Sequence, residues 1–164
     1  MDIMHLKDLV SLHQQAFRQK VAQAFAERHS MTTEQVLEEQ GEVIERYIHE
    51  KYKGVERAVS KITEFKHPVV LSIRRDPCGE DVCMICERDQ PNIEKLQRVY
   101  GDRIVFYDVY DSSPEGALYH IIYQGEGEKL LPLTAVIHNG EVKKYWSGRP
   151  VEVEEYQEYL DPLV

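Results

Sequence analysis

The chain has 164 residues, enough for one domain or for a small domain with an extension. Hydrophobic residues make up 42 % and charged residues 30 %, a mix that suits a packed globule and excludes a disordered chain. The 29 acidic and 20 basic residues give a net charge of −9, which argues against a nucleic-acid binder because such proteins need a basic face for phosphates.

The negative charge is concentrated in the C-terminal part. Residues 1–66 contain 10 basic and 11 acidic side chains, whereas residues 67–164 contain 10 and 18. We expect this part to repel nucleic acids and anionic membrane surfaces. No apolar run reaches the roughly 20 residues of a membrane-spanning helix, and the N-terminus lacks the basic and apolar regions of a signal peptide. A cytoplasmic protein without nucleic-acid or membrane partners is therefore expected.

The first 66 residues are predicted to be helical, because apolar residues recur there at helical spacing and proline is absent. A Thr followed three positions later by Gln is typical of a capping box, and a Lys-Gly pair predicts a helix break. The predicted features are a first helix with its apolar series from Ile3 to Phe25, a capping box of Thr32 and Gln35 before a second helix, a break at Lys53-Gly54, and a third helix from Val55 to Phe65.

Beyond Pro68, short apolar runs typical of strands alternate with helical patterns. Strands separated by helices predict parallel pairing, and an Asn-Gly dipeptide between two β-rich runs predicts a hairpin that adds an antiparallel edge strand. The predicted elements are a strand at Val69–Ile73, a helix at Cys83–Tyr100, a strand at Arg103–Val109, a helix from Ser113 to Ile122, a surface loop at Gly125–Glu128, a hairpin of Leu133–Ile137 and Glu141–Trp146 around Asn139-Gly140, and a final helix at Val153–Leu160.

The three cysteines lie within nine residues, at Cys78, Cys83 and Cys86. An odd, clustered set in a cytoplasmic chain favours redox chemistry or metal binding over a structural disulfide framework. Cys83-Met84-Ile85-Cys86 begins a predicted helix, where free N–H groups and the helix dipole stabilise a thiolate at Cys83. Cys86 lies one helical turn further on, close enough to form a disulfide with Cys83.

Other features accompany this Cys-x-x-Cys pair. Pro91 follows Cys86 by five residues inside the predicted helix, Gly101-Asp102 is a turn into the next strand, and Leu131-Pro132 precedes the hairpin. Together these motifs resemble the thioredoxin-fold family over about residues 55–160. The resemblance implies an α/β, thioredoxin-like domain with a central mixed sheet flanked by helices. This domain would occupy residues 54–164, with a helical N-terminal extension at residues 1–53.

The resemblance also implies roles for individual residues. Cys83 would be the attacking thiolate and Cys86 the resolving thiol of a thiol–disulfide oxidoreductase. Pro132 would be cis and packed against the cysteine pair, leaving the backbone of Leu131 open to a substrate chain. The substrate would be a protein or small disulfide, an external system would supply the reductant, and no bound cofactor would be required.

The sequence departs from the family's pattern near the cysteines. Met84-Ile85 replaces Gly-Pro between them, and Val82 replaces the preceding Trp. Ser72 occupies the strand position where the family has a buried acidic group, so the residue that would relay a proton is replaced here. The loop before Cys83 is longer and carries Cys78.

The residues leave a metal site open as an alternative. Cys78-x4-Cys83-x2-Cys86 matches three of the four cysteines of an iron–sulfur site. For a zinc site, His120 or His138 is a candidate fourth ligand, and a metal that bridges two chains of a homodimer would need no fourth cysteine. Cys78 is otherwise either a loop thiol without a role or a thiol that competes with Cys86 for Cys83.

A redox-inactive binding or adaptor module is an alternative from another functional class. Such a module would hold a partner through its helical arm and the edge at Leu131-Pro132, and its thiols would remain reduced and unreactive. Residues 1–52 would either cap the sheet of their own chain or form a homodimer through the N-terminal helices.

Overall fold

The structure, a computed structural model, describes residues 4–78, 82–125 and 130–164, so most of the predicted loop at 125–128 lies outside the described residues. It contains a five-stranded mixed sheet with helices packed on it. The helices and strands are β1 (Met4–His5), α1 (Leu6–His29), α2 (Thr33–Glu64), β2 (Val69–Arg74), α3 (Met84–Tyr100), β3 (Val105–Tyr110), α4 (Leu118–Ile122), β4 (Leu133–His138), β5 (Glu141–Ser147) and α5 (Val153–Leu160), with short 3-10 turns at Gly101–Arg103, Pro114–Ala117 and Asp161–Leu163.

Helices α1 and α2 form a hairpin whose turn is set by local sequence. Ser30 ends α1 with a positive φ of 53°. Thr32 then caps α2, because its Oγ1 accepts from the Gln35 N–H at 3.1 Å while the Gln35 side chain accepts from the Thr32 N–H at 2.9 Å. The predicted capping box is confirmed. No helix among the described residues combines the length and the apolar content needed to cross a membrane.

The predicted helix break at Lys53-Gly54 is wrong, since α2 continues through this position for 32 residues. Gly54 is needed for packing rather than for a turn. A Cβ at position 54 would clash with the Pro114 side chain and lie 3.1 Å from the Pro114 carbonyl carbon. The boundary predicted between residues 53 and 54 therefore lies inside a continuous helix.

The strand order is β1-β5-β4-β2-β3, and the prediction of parallel pairing holds for β2 with β3 but not for β4. Strand β4 pairs antiparallel with β2, so that Leu133 lies opposite Ile73. Ile73 lies opposite both Val109, near the end of β3, and Leu133, the first residue of β4. The segment after β3 therefore returns to the sheet at the end where β3 finishes.

Two predictions at the margins of the sheet are corrected. The first helix begins at Leu6 rather than Ile3, because Met4 and His5 pair with β5 as a two-residue antiparallel strand. The β4–β5 hairpin is present as predicted, but β5 is consequently not an edge strand. The N–H of Leu6 also donates to the Gly140 carbonyl at 2.7 Å, fixing the start of α1 to the hairpin turn.

The sheet separates two apolar clusters because alternate residues of a strand point to opposite faces. Leu71 and Leu133 pack with residues of α1, α2 and α4 on one face. Val70 and Val136 pack with residues of α3 and α5 on the other. The N-terminal helices thus cap the sheet of their own chain, while the homodimer through these helices stays a prediction.

Candidate functional site

The predicted cysteine pair lies where β2 connects to α3. Cys83 is the N-cap of α3, and its Sγ accepts from the Cys86 N–H at 3.2 Å. The two residues form a disulfide with a Cα–Cα distance of 5.2 Å. Cys86 is only 8 % exposed, whereas Cys83 is half-buried and its neighbour Met84 is 59 % exposed. Of the two sulfurs, the one on the N-cap residue therefore belongs to the more accessible side chain.

A cavity of about 330 Å³ opens beside this disulfide. Cys83 and Cys86 form part of its wall, together with residues from the ends of β2 and β3. Val82 and Tyr110 contribute apolar surface to the cavity and are 67 % and 42 % exposed. The predicted redox pair thus borders a concave, partly apolar site.

Two consecutive arginines line the cavity but have different surroundings. Arg74 donates to both carboxylate oxygens of Asp108, at 3.1 and 2.6 Å, and also to the Gln90 side chain. The charge of Arg74 is therefore compensated across the β2–β3 pair. Arg75 forms no ion pair or hydrogen bond with any residue that the structure describes.

Hydrogen bonds join the loop after β2 to the loop after β3. The two carboxylate oxygens of Asp76 accept from the Cys78 N–H at 2.9 Å and the Ser112 hydroxyl at 3.0 Å. The N–H of Asp76 donates to Asp111 Oδ1 at 3.0 Å. Cys78 itself is an exposed free thiol, and the following residues 79–81 lie outside the described part of the chain.

Leu131 and Pro132, which were predicted to bind substrate, lie directly before β4. The Leu131–Pro132 peptide bond is cis. Pro132 is buried and its carbonyl accepts from the Gly148 N–H at 2.9 Å. Neither Leu131 nor Pro132 contributes to the lining of the cavity.

A group of buried polar side chains lies on the sheet face covered by α3 and α5. Asp89, Ser72 and Thr134 are almost wholly inaccessible, and Ser72 lies opposite Thr134 in the β2–β4 register. Asp89 Oδ1 accepts from the Val151 N–H at 2.8 Å, but Asp89 Oδ2 has no hydrogen-bond partner among the described residues. Burial raises the pKa of Asp89.

The burial of Asp89 was not predicted from the sequence. Asp89 follows Cys86 by three residues, so the two lie on the same face of α3. Its helical spacing relative to the apolar positions Ile93 and Leu96 was the available signal. The spacing indicated a buried position, but an acidic residue ordinarily lies on the solvent-exposed face of a helix, so its residue type indicated exposure.

The described residues do not bring together a set of ligands for the alternative metal site. Within residues 4–78, 82–125 and 130–164, no three His, Cys, Asp or Glu side chains are grouped in a way that could hold a metal ion. Two of the three thiols in that alternative, Cys83 and Cys86, are joined to each other in this structure.

Comparisons with known proteins gave matches among solved structures. No family model matches the chain, and no curated protein sequence matches it. One similar chain comes from a structure described as thioredoxin-2 of the malaria parasite protein secretion machinery, with 20 % identity, a TM-score of 0.46, and coverage of 58 % of this chain and 82 % of that one.

Two further solved structures are similar. One was described in a study of thiol resolution in yeast mitochondrial 1-Cys peroxiredoxin, with 16 % identity, a TM-score of 0.49, and coverage of 66 % of this chain and 89 % of that one. The other is described as a malarial protein, with 19 % identity, a TM-score of 0.46, and coverage of 60 % and 98 %.

The architecture itself defines the class of fold. A parallel β2–β3 pair, an antiparallel β4–β5 hairpin on the other side of β2, and a cysteine pair at the start of α3 form a thioredoxin-like arrangement. The chain therefore has a thioredoxin-like α/β fold with additional N-terminal helices, and it carries a closely spaced cysteine pair.

Proposed function

We propose that this chain is a thiol–disulfide oxidoreductase in which Cys83 attacks and Cys86 resolves. The observation that carries the proposal is the position of the cysteine pair at the N-terminus of α3, beside a cavity. In the reduced protein, the Cys86 N–H that contacts Cys83 Sγ would stabilise a thiolate there.

The reaction consists of two exchanges of sulfur partners. The Cys83 thiolate attacks one sulfur of a substrate disulfide, forming a mixed disulfide and releasing the other half as a thiolate that takes up a proton. Cys86 then loses its proton and attacks Cys83 Sγ, which forms the internal disulfide and releases the second substrate thiol. Two electrons pass from the protein dithiol to the substrate.

The greater burial of Cys86 supports this division of roles. At 8 % exposure Cys86 is a poor target for an incoming disulfide, but it is adjacent to Cys83 and can attack the mixed disulfide. An external dithiol would restore the reduced pair, and no bound cofactor enters either exchange. A reducing compartment such as the cytoplasm would maintain that reductant.

We assign Leu131 and Pro132 to substrate binding as part of the same proposal. The Leu130 carbonyl accepts from the Tyr119 and Ser147 hydroxyls at 2.7 and 2.8 Å. The backbone groups of Leu131 form no hydrogen bond with the described residues and so remain available to an extended substrate chain.

A disulfide-reduction assay with insulin and dithiothreitol tests the proposal. We expect the wild-type protein to accelerate reduction above the background rate and Cys83→Ser to abolish the acceleration. Cys86→Ser should accumulate a mixed disulfide visible by mass spectrometry, because the resolving thiol is missing. Cys78→Ser is the matched control and should retain activity.

Equal rates of disulfide reduction by the wild type and Cys83→Ser would contradict the proposed oxidoreductase activity. If the native thiols also stay unreactive until denaturant is added, the adaptor module becomes the better account. Stoichiometric zinc, or iron–sulfur absorbance in protein purified without oxygen, would instead support the metal alternative.

A further inference from the structure

The size of the cavity beside the disulfide bears on what its substrate is. Its volume of about 330 Å³ is at the lower end of the range for small-molecule sites. Cys83 and Cys86 lie in its wall, so a molecule bound there has its sulfurs next to the reacting pair. A small disulfide fits this volume, whereas a folded partner would contact mainly the rim.

Among the described residues that line the cavity, Arg75 and Glu87 carry charged side chains that have neither an ion-pair nor a hydrogen-bond partner. Arg74 is neutralised by Asp108, and the carboxylate of Asp76 accepts two hydrogen bonds. By contrast, neither the guanidinium of Arg75 nor the carboxylate of Glu87 is paired with a residue that the structure describes. Arg75 directly follows β2, whereas Glu87 lies in the first turn of α3.

We propose that this cavity binds a low-molecular-weight zwitterionic disulfide, such as that of an amino acid or short peptide. Arg75 binds its carboxylate and Glu87 binds its ammonium group, since charge-assisted hydrogen bonds are the strong ones. Val82 and Tyr110 cover its methylene groups. The inference rests on the proposed function and uses the same exchange: Cys83 attacks one sulfur, and the other half leaves as a thiolate.

A charge-matched series of small disulfides tests this substrate class. The four probes are cystine (zwitterionic), cystamine (dicationic), dithiodiglycolate (dianionic) and bis(2-hydroxyethyl) disulfide (neutral). The kcat/KM of each is measured with the full chain and with Arg75→Gln and Glu87→Gln. Arg98→Gln and Glu94→Gln are the matched controls, because both residues are exposed on α3 and do not line the cavity.

We expect the wild type to favour cystine over the neutral disulfide. Arg75→Gln should lower kcat/KM about tenfold for cystine and dithiodiglycolate, and Glu87→Gln should do so for cystine and cystamine. The neutral disulfide should be unaffected by either variant. It also separates binding from thiol activation, because an altered Cys83 thiolate would change all four rates together.

Two results would overturn the inference: no preference of the wild type for cystine, or losses that do not follow the charge of the probe. The proposed function fails by a different result. In that case the neutral disulfide would be reduced no faster by the wild type than by Cys83→Ser.

Discussion

Asp89 is as fully buried as the apolar residues around it, although only one of its carboxylate oxygens is hydrogen-bonded. Burial raises its pKa, against the opposing effects of the Val151 N–H, the Asn92 side chain and the Arg74 charge, while Glu152 raises it further. The ionised carboxylate is therefore less stable in the folded protein than in the unfolded chain. This single residue makes the free energy of unfolding depend on pH.

The sign of this dependence can be tested with Asp89→Asn. Because the pKa is raised in the folded state, the native protein binds more protons than the unfolded chain between the two pKa values. The stability that protonated Asp89 contributes is present in full below its pKa in the unfolded chain. This stability is lost as the pH rises through its pKa in the folded protein. We expect Asp89→Asn to remove this slope and to be about 1–3 kcal/mol more stable than the wild type at neutral pH.

Urea denaturation between pH 4 and pH 8 measures the effect, with the exposed Asp102→Asn as the control. Asn keeps the side-chain oxygen that accepts from Val151, and it replaces the buried carboxylate, whose charge also acts on Tyr156, with a neutral amide. A wild type that gains stability over this range relative to Asp89→Asn would contradict the expected sign.

The sequence was informative about single residues where the chemistry depends on local spacing. Cys83 and Cys86 could be paired from their separation and their place at a helix start. The pairing of Asp108 with Arg74 could not be predicted, because it joins the neighbouring strands β3 and β2. The burial of Asp89 likewise depends on how α5 packs beside α3.

At the scale of the elements, two glycines of α2 lie in opposite environments. Gly41→Ala should stabilise the protein by roughly 0.5–1 kcal/mol, since nothing lies within 4 Å of the added Cβ and alanine favours the helix. Gly54→Ala should destabilise it by about 1–2 kcal/mol, because the added Cβ meets Pro114. Thermal and urea unfolding of both variants provide the measurement. Equal effects of the two substitutions would show that the surroundings of positions 41 and 54 in α2 do not determine the change in stability.

The capping box at the start of α2 gives a second prediction for this helix. Thr32→Ala removes the oxygen that accepts from the Gln35 N–H, and it should cost about 1 kcal/mol in the free energy of unfolding. Thr33→Ala is the control, because Thr33 is the next residue but provides no cap. Urea unfolding in parallel should show the loss only at Thr32, and equal losses would refute a specific capping role.

Helices and strands with a periodic pattern of apolar residues could be predicted from the sequence. Features that depend on contacts with distant parts of the chain could not. Helix α3 and strand β2 agree with their sequence patterns to within one residue. The two-residue β1 is defined by its pairing with β5, and the direction of β4 is defined by its antiparallel pairing with β2. The Lys53-Gly54 pair indicated a break, yet α2 is continuous there and Gly54 packs against Pro114.

At the scale of the whole molecule, the sheet and the N-terminal helices share one apolar core. One core cluster includes Leu6 and Ile44 from these helices and Leu71 and Ile137 from the sheet. Removing residues 1–53 would cut α2 and expose one sheet face to water. Residues 54–164 are therefore expected not to fold as an independent unit, even though they contain the cysteine pair.

Circular dichroism and urea unfolding of the 54–164 fragment can test this expectation. The fragment should lack a cooperative unfolding transition, whereas the full chain should show one. The full chain with Gly41→Ala controls for a change in α2 that leaves the hairpin in place. A cooperative transition in the fragment would establish that the thioredoxin-like part is independent of its extension.

The contact between Gly54 and Pro114 also constrains how such chains can diverge. Pro114 begins the turn after β3, where Ser113 donates from both its N–H and its hydroxyl to the carbonyl of Tyr110, a residue of the cavity wall. A larger side chain at position 54 would displace this turn, unless the residue at position 114 became smaller at the same time. In an alignment of related sequences these two distant positions should covary, which would distinguish chains with this helical arm from other thioredoxin-like proteins.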